Sequence, residues 1–403
     1  MKPFIRILLL VMPLLAGTML RGQQFTNYTT ADGLPSNNVN GVAIDANNVK
    51  WFATQEGVAR FNDATWTTYT TVNGLIDNYI NCIAVDINNV VWVGTDYGIS
   101  KFDGTTWTSY THANGLIDDM VNFIAGAPDG SIWIGTTVGL SRLSGITWTN
   151  YTTANGLPAN LISYIKADGT GNVWIGTWLG GLSKFNGTTF TNFTTADSLP
   201  DNNVTAIALG ANNTKWIGTY YGVSVFNSQD QWVATYRQAD GLYNNFIHDM
   251  AMDPRGTMWF ALYDIYVQDA GLTMKNSTGW TSYSGVNGLP NTPLKRVAVD
   301  TANNIWLATG AGVSMLEDVA EAVSEPARAG IRVYPNPAAT ELRLDGLPVP
   351  GRVVLTTVDG KTVLNHPLSR GSNILPLDGL APGIYLLRCT TEEGVSYRKI
   401  VVR

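Results

Sequence analysis

The sequence predicts an all-β chain: a seven-bladed β-propeller closed by its N-terminal strand, followed by a small C-terminal β-sandwich. Three observations predict it. A tryptophan-led segment recurs at Trp51, Trp92, Trp133, Trp174, Trp216, Trp259 and Trp306, in steps of 41, 41, 41, 42, 43 and 47 residues. A period of about 40–45 residues is that of four-stranded propeller blades. The fourth strand of the repeat has an aromatic anchor in only six places: Trp66, Trp107, Trp148, Phe190, Trp232 and Trp280. The missing seventh stands at the other end, where Phe25-Thr26-Asn27-Tyr28-Thr29 matches Trp66-Thr67-Thr68-Tyr69-Thr70. Finally, charged residues make up 14% of the chain while glycines number 41, a composition of many short strands and tight turns.

The chain opens with Lys2 and Arg6 ahead of an apolar run from Ile7 to Leu20 that is broken by Pro13. Its 14 residues are short of the roughly 20 that span a bilayer, so residues 1–22 are expected to be a cleaved secretory signal. No later stretch is long and apolar enough to cross a membrane.

Residues 23–316 hold the repeats. Each begins at a turn such as Gly33-Leu34-Pro35 and continues into an apolar strand such as Val39 to Ile44. It then turns at Asp45-Ala46-Asn47-Asn48, where Asn supplies positive φ cheaply. The tryptophan strand follows, then a strand like Gly98-Ile99-Ser100-Lys101-Phe102, then the aromatic fourth strand. In the first strand, large residues stand at Val42, Ile83, Ile124, Ile165, Ile207, Met250 and Val297, and in six of the seven a small one follows: Ala43, Ala84, Ala125, Ala208, Ala251 and Ala298. This suits blades that taper toward an axis. Lys166 breaks the rule, and reach to solvent is its expected reason.

The repeat Asn89-Val90-Val91-Trp92-Val93-Gly94-Thr95-Asp96-Tyr97-Gly98-Ile99-Ser100-Lys101-Phe102 resembles the two-component-regulator propeller family. The resemblance implies a propeller of the kind found in the periplasmic sensor half of hybrid histidine kinases that respond to glycans. The kinase and receiver regions of those proteins are not expected after residue 316, so the signalling role is not expected to carry over.

Residues 317–330, rich in Glu, Ala, Ser and Pro, are expected to be a linker. Residues 331–403 open with Tyr334-Pro335-Asn336-Pro337 and carry Asp359-Gly360-Lys361 and Pro382-Gly383-Ile384-Tyr385. They end Lys399-Ile400-Val401-Val402-Arg403. This resembles the type A C-terminal sorting domain of the type IX secretion system. That implies a small β-sandwich, partnership with the type IX machinery, export across the outer membrane of Bacteroidetes-type bacteria, and a secreted or outer-membrane surface location.

In a propeller, the loops between second and third strands share a face with the channel mouth. Here those loops carry Tyr97, Trp178, Tyr220, Tyr221, Tyr263 and Tyr266, with Tyr243 on an adjacent turn. Exposed aromatic faces beside Asn and Asp suit sugar rings, so these residues are candidate ligand contacts. They serve equally well as covers for loop backbone. A second set is polar and stands at the mouth end of each first strand: Asn40, Asn81, Asn122, Ser163, Thr205, His248 and Lys295. This rim suits architecture at least as well as binding.

Charge narrows the partners. Between residues 23 and 316 there are 12 Lys/Arg against 21 Asp/Glu, a net of −9, the wrong sign for a nucleic-acid binder and unfavourable for strongly anionic glycans. No His/Cys/carboxylate cluster has metal-ligand spacing, and the Asp-x-Asn-Asn turns lack a calcium loop's ligand set, so no metal or cofactor is expected. Cys82 and Cys389 fall in different domains and are expected to be buried apolar residues. The leading expectation is a non-catalytic binding module for a neutral glycan or a protein partner. A propeller lyase or glycoside hydrolase is one alternative; His248-Asp249 is its best acid–base candidate, with Glu56 and Asp96 behind, but neighbours on a strand face opposite ways. A structural cell-surface protein with no pocket is the other.

Overall fold

The computed structural model describes residues 25–264, 266, 268–290, 292–317, 332–334, 338, 340–347, 349–357, 361–391 and 394–402. The signal expected at 1–22, residues 318–330 of the expected linker, Pro335–Pro337 and Asp359-Gly360 lie outside them. The chain divides into two compact units, Met1–Val319 and Ala320–Arg403.

The first unit is built of seven antiparallel four-stranded sheets. Sheet 1 runs Val39–Ile44, Lys50–Thr54, Gly57–Phe61, Trp66–Tyr69 in simple up-and-down order. Sheets 2 to 6 repeat that order from first strands at Cys82–Val85, Val121–Gly126, Ile162–Ala167, Val204–Leu209 and Ile247–Met252. Sheet 7 draws three strands from Leu294–Val299, Ile305–Thr309 and Gly312–Leu316 and takes its fourth from Phe25–Tyr28. Phe25 pairs with Leu316 and Tyr28 with Val313, as the fragment's resemblance to Trp66–Thr70 requires.

The core lies between sheets rather than within any one of them. Trp133 is 2% exposed and packs edge-on to Phe185 of the next sheet at 5.6 Å. Trp306 of sheet 7 meets Phe52 and Phe61 of sheet 1 at 6.0 Å each. Burying one such indole contributes at most roughly 4–6 kcal/mol, from about 150–250 Å² at about 25 cal/mol/Å². First strands also stand beside one another in series, and Leu294–Val299 lies beside Val39–Ile44.

The repeated letters have physical reasons. In Trp-Ile-Gly-Thr of sheet 3, a Cβ on Gly135 would come within 2.5 Å of Ile162 of sheet 4, so only glycine allows the sheets to approach that closely. The buried Thr136 hydroxyl donates to the Gly139 carbonyl at 2.9 Å and fastens the hairpin. In the Asp turns, Asp45 Oδ1 accepts the N–H groups of Asn47 and Val49, while Oδ2 accepts the Trp51 indole N–H at 3.0 Å. Asp86, Asp168, Asp253 and Asp300 do the same for Trp92, Trp174, Trp259 and Trp306. These carboxylates are committed to their own turns. Arg60, Lys101, Arg142 and Lys184 lie over the indoles of Trp51, Trp92, Trp133 and Trp174.

The second unit contains a three-stranded sheet (Arg332–Tyr334, Glu341–Leu347, Gly371–Pro376) and a four-stranded one (Thr362–Leu368, Gly351–Thr357, Gly383–Thr391, Gly394–Val402). Leu342, Leu344 and Leu375 of the first share one core with Val353, Leu355, Leu387 and Ile400 of the second. Cys82 and Cys389 are both buried, and burial pushes the Cys82 thiol up to about 12.

Candidate functional site

Six of the seven first strands carry a local irregularity at their mouth end. Register shifts bracket Asn40, Asn122, Ser163, Thr205, His248 and Lys295, so each is an extra residue in its strand. Such bulges re-aim a side chain. All seven rim residues, with Asn81 from sheet 2, line one cavity of about 430 Å³.

Most of the rim is tied in a belt. Asn40 Nδ2 donates to the Ile80 carbonyl (2.8 Å), Asn81 to Val121 (3.1 Å) and Asn122 to Ile162 (3.1 Å). The Ser163 hydroxyl donates to the Val204 carbonyl (2.5 Å) and that of Thr205 to Ile247 (2.6 Å). Lys295 Nζ donates to Asn38 and, at 2.7 Å, to Asn40. Each bond joins one sheet to the next, and Lys295 joins the seventh to the first.

His248 is the exception. Its Nε2 is buried with no hydrogen-bond partner. Burial, then the nearby Arg296 and Lys295 charges, push its imidazole down to about 4, against the pull of a hydrogen bond to the Tyr263 backbone. The ring is therefore neutral at physiological pH. Burial and Arg296 also push the Lys295 ammonium down to about 8.

Among the seven aromatic candidates, the structure brings only Trp178 and Tyr220 to this cavity, their ring centroids 5.4 Å apart. Trp178 sits on a strained turn: Leu179 holds φ 67°, a conformation that favours glycine, and its N–H bonds to Asn203 Oδ1 at 3.1 Å. Tyr97 and Tyr221 follow the inward-facing residue of their loops and turn outward, 65% and 59% exposed. Tyr266 is 79% exposed and packs on Phe246. Tyr263 stands edge-on to His248 behind the cavity wall at 6.2 Å. Tyr243 leans on Gly271 and donates its hydroxyl to Asp269 at 2.7 Å.

Three lining residues were not foreseen as ligand contacts: Tyr79, Asp96 and Arg296. Asp96 accepts from Asn81 Nδ2 at 2.7 Å. Arg296 donates to the carbonyls of Lys295 (2.9 Å) and His248 (3.4 Å) and lies over Phe123 and Tyr164 at 5.2 and 5.6 Å. It borders a second cavity of about 320 Å³ as well, lined by Cys82, Lys166, Asp249, Ala208, Ala251 and Ala298 among others. The position after the rim residue carries the missed signal. There Gly41, Cys82, Phe123, Tyr164 and Ala206 give way to charged Asp249 and Arg296.

The second cavity also explains Lys166. It replaces the small residue of its strand, is exposed, and lines this cavity. Burial pushes its ammonium down, partly opposed by Asp249. Asp249 accepts the Tyr164 hydroxyl (2.8 Å) and the Val297 N–H (2.9 Å), and burial raises its carboxyl. His248 and Asp249 thus line different cavities, so they form no acid–base pair. Among the described residues, no three His, Cys, Asp or Glu are grouped to hold a metal ion.

Known proteins give the following likenesses. The extracellular domain of BT3049 from B. thetaiotaomicron, assigned to a hybrid two component system, is 18% identical, with a TM-score of 0.66 over 94% of this chain and 57% of its own. PorZ of Porphyromonas gingivalis, described as an essential surface component of the type-IX secretion system, is 17% identical, TM-score 0.62, over 92% and 60%. A catalytically inactive virginiamycin B lyase from Staphylococcus aureus, solved with quinupristin, is 16% identical, TM-score 0.58, over 73% and 99%. The chain spans about three fifths of the length of the first two, and at these identities the likeness is one of fold. No curated protein matches the chain. No helix among the described residues is long and apolar enough to cross a membrane. Segments 74–97 and 156–179 match the two component regulator propeller family, and residues 332–403 match the secretion system C-terminal sorting domain, which implies contact with the type IX machinery and makes this a secreted or cell-surface protein.

Proposed function

We propose that residues 23–316 form a seven-bladed propeller closed by Phe25–Tyr28, that a linker over 317–330 joins it to a sorting sandwich over 331–403, and that the exported propeller binds the end of a glycan in its channel mouth without catalysing a reaction. One observation carries the binding reading: one polar residue from every sheet converges on a single cavity whose wall includes Trp178 and Tyr220. The volume suits one or two sugar rings. Aromatic faces supply stacking area, while the rim supplies acceptors and hydroxyls. The non-catalytic part rests on the separation of His248 from Asp249 and on Asp96 being bound to Asn81.

A glycan array probed with the full chain tests it. Binding is expected for a restricted set of glycans. Trp178→Ala is expected to abolish it, and Tyr221→Ala, on an outward-facing ring, to leave it unchanged. Binding that survives Trp178→Ala refutes the mouth as the site. Binding to no glycan transfers the role to a protein partner. Turnover of a bound glycan, lost in His248→Ala, replaces this reading with a lyase or hydrolase.

A further inference from the structure

We infer that the glycan end entering the mouth carries a carboxylate, held by Lys295 and Arg296. This rests on the glycan reading above and narrows it. The net charge of −9 belongs to the propeller region as a whole, and the channel mouth departs from it. Lys295 and Arg296 are adjacent in sequence and both line the cavity. Among the described residues, neither has a carboxylate within ion-pair distance. Lys295 spends two of its three donors on the neutral amide oxygens of Asn38 and Asn40 and keeps one. Arg296 donates from Nη1 to two backbone carbonyls and lies over the Phe123 and Tyr164 rings, and its charge is felt by the buried Asp249 carboxyl on the second cavity, but on the mouth side it has no carboxylate in ion-pair distance.

Two cations adjacent in sequence on one cavity wall disfavour one another. The Arg296 charge, after burial, pushes the Lys295 ammonium down. His248 adds a buried, unpartnered Nε2 on the same wall. An anionic group in the cavity relieves the two cations, and a sugar hydroxyl beside it can donate to the His248 acceptor nitrogen. The one carboxylate already on the wall, Asp96, is occupied by Asn81. Carboxylates pair well with such donors at short range. The net charge of −9 over residues 23–316 meanwhile disfavours a polyanion, so the acid is a single terminal residue on an otherwise neutral chain.

The test uses matched glycans ending in glucuronic acid or in glucose, arrayed or titrated against the full chain. At pH 7 the acid-terminated member is expected to bind at least ~10-fold more tightly, in line with a charge-assisted hydrogen bond. Lys295→Gln should bring the ratio near one, and Lys295→Arg should restore most of it. Because Lys295 also closes the belt, each variant's melting curve is recorded. Should Lys295→Gln unfold, the wild-type pH profile decides. Between pH 7 and 9 Lys295 loses its proton, facing the already neutral His248, the Arg296 guanidinium and the carboxyls of Asp96 and Asp249. The acid preference should therefore decline over that range, with the neutral glycan unaffected. Equal binding of both members, still abolished by Trp178→Ala, overturns the carboxylate and leaves the glycan reading intact. No binding of either overturns both.

Discussion

Six junctions between neighbouring sheets and the one at His248 solve the same problem in two ways. At the six, a rim side chain crosses to the next sheet and donates to its neighbour, from Asn40 to the Ile80 carbonyl around to Lys295 and Asn40. Between sheets 6 and 7 the task is done one residue deeper. There Asp249 accepts the Val297 N–H, and Arg296 reaches back to the His248 carbonyl. His248 is released from the belt and left with an unpartnered nitrogen on the cavity wall. The difference teaches that the rim is architecture first. Where a repeat abandons the shared solution and a neighbour compensates, the freed side chain is the candidate for function.

The largest test removes a junction outright. Deleting Gln23–Thr30 takes the fourth strand from sheet 7 and exposes the edge of Gly312–Leu316. The deleted protein is expected to be protease-sensitive and to melt far below the parent; equal compactness and heat resistance would refute closure by that strand. Next, Asp249→Ala leaves the Tyr164 hydroxyl and the Val297 N–H unpartnered in a site where Asp249 is 3% exposed. The expected cost is about 3 kcal/mol in denaturant unfolding. Asn122→Ala removes a single belt bond near the cavity and should cost about 1 kcal/mol. Equal costs would mean that the sixth junction carries no special load.

The repeat made the fold legible: a 41-residue period and a displaced aromatic strand were enough to foresee seven sheets and the pairing of Phe25–Tyr28 with Gly312–Leu316. The rim was legible too, because its polar residues recur at one position of a strand. Its aromatic neighbours were not. Tyr220 and Tyr221 are adjacent and chemically identical, yet one enters the cavity and the other faces solvent, and only the twist of the hairpin decides which. Alternation also gave an incomplete account of His248 and Asp249. A strand-like flip does separate them, but a bulge sets the aim of His248, and a bulge leaves no mark in the pattern of apolar letters. The Asp–Trp pairs were hidden for a different reason: turn composition explains Asp45 or Asp168 fully, and the indole bond six residues on is invisible without coordinates.

The subtlest consequence of the His248 exception lies in its pH dependence. Its folded-state value near 4 is below the usual 6.5, so the unfolded chain binds the extra proton first as pH falls. Stability from this group is complete above about pH 6.5 and is lost as pH falls toward 4. Between pH 7 and 5 the loss amounts to roughly 2 kcal/mol. His248→Gln keeps a polar side chain of similar reach and cannot titrate. Unfolding curves of the two proteins should therefore diverge below pH 6.5, with the wild type falling faster and other groups cancelling in the difference. Parallel curves would mean that the imidazole accepts its proton in the folded state, as a ring open to solvent does, and the contrast between the sixth junction and the belt would lose its electrostatic half.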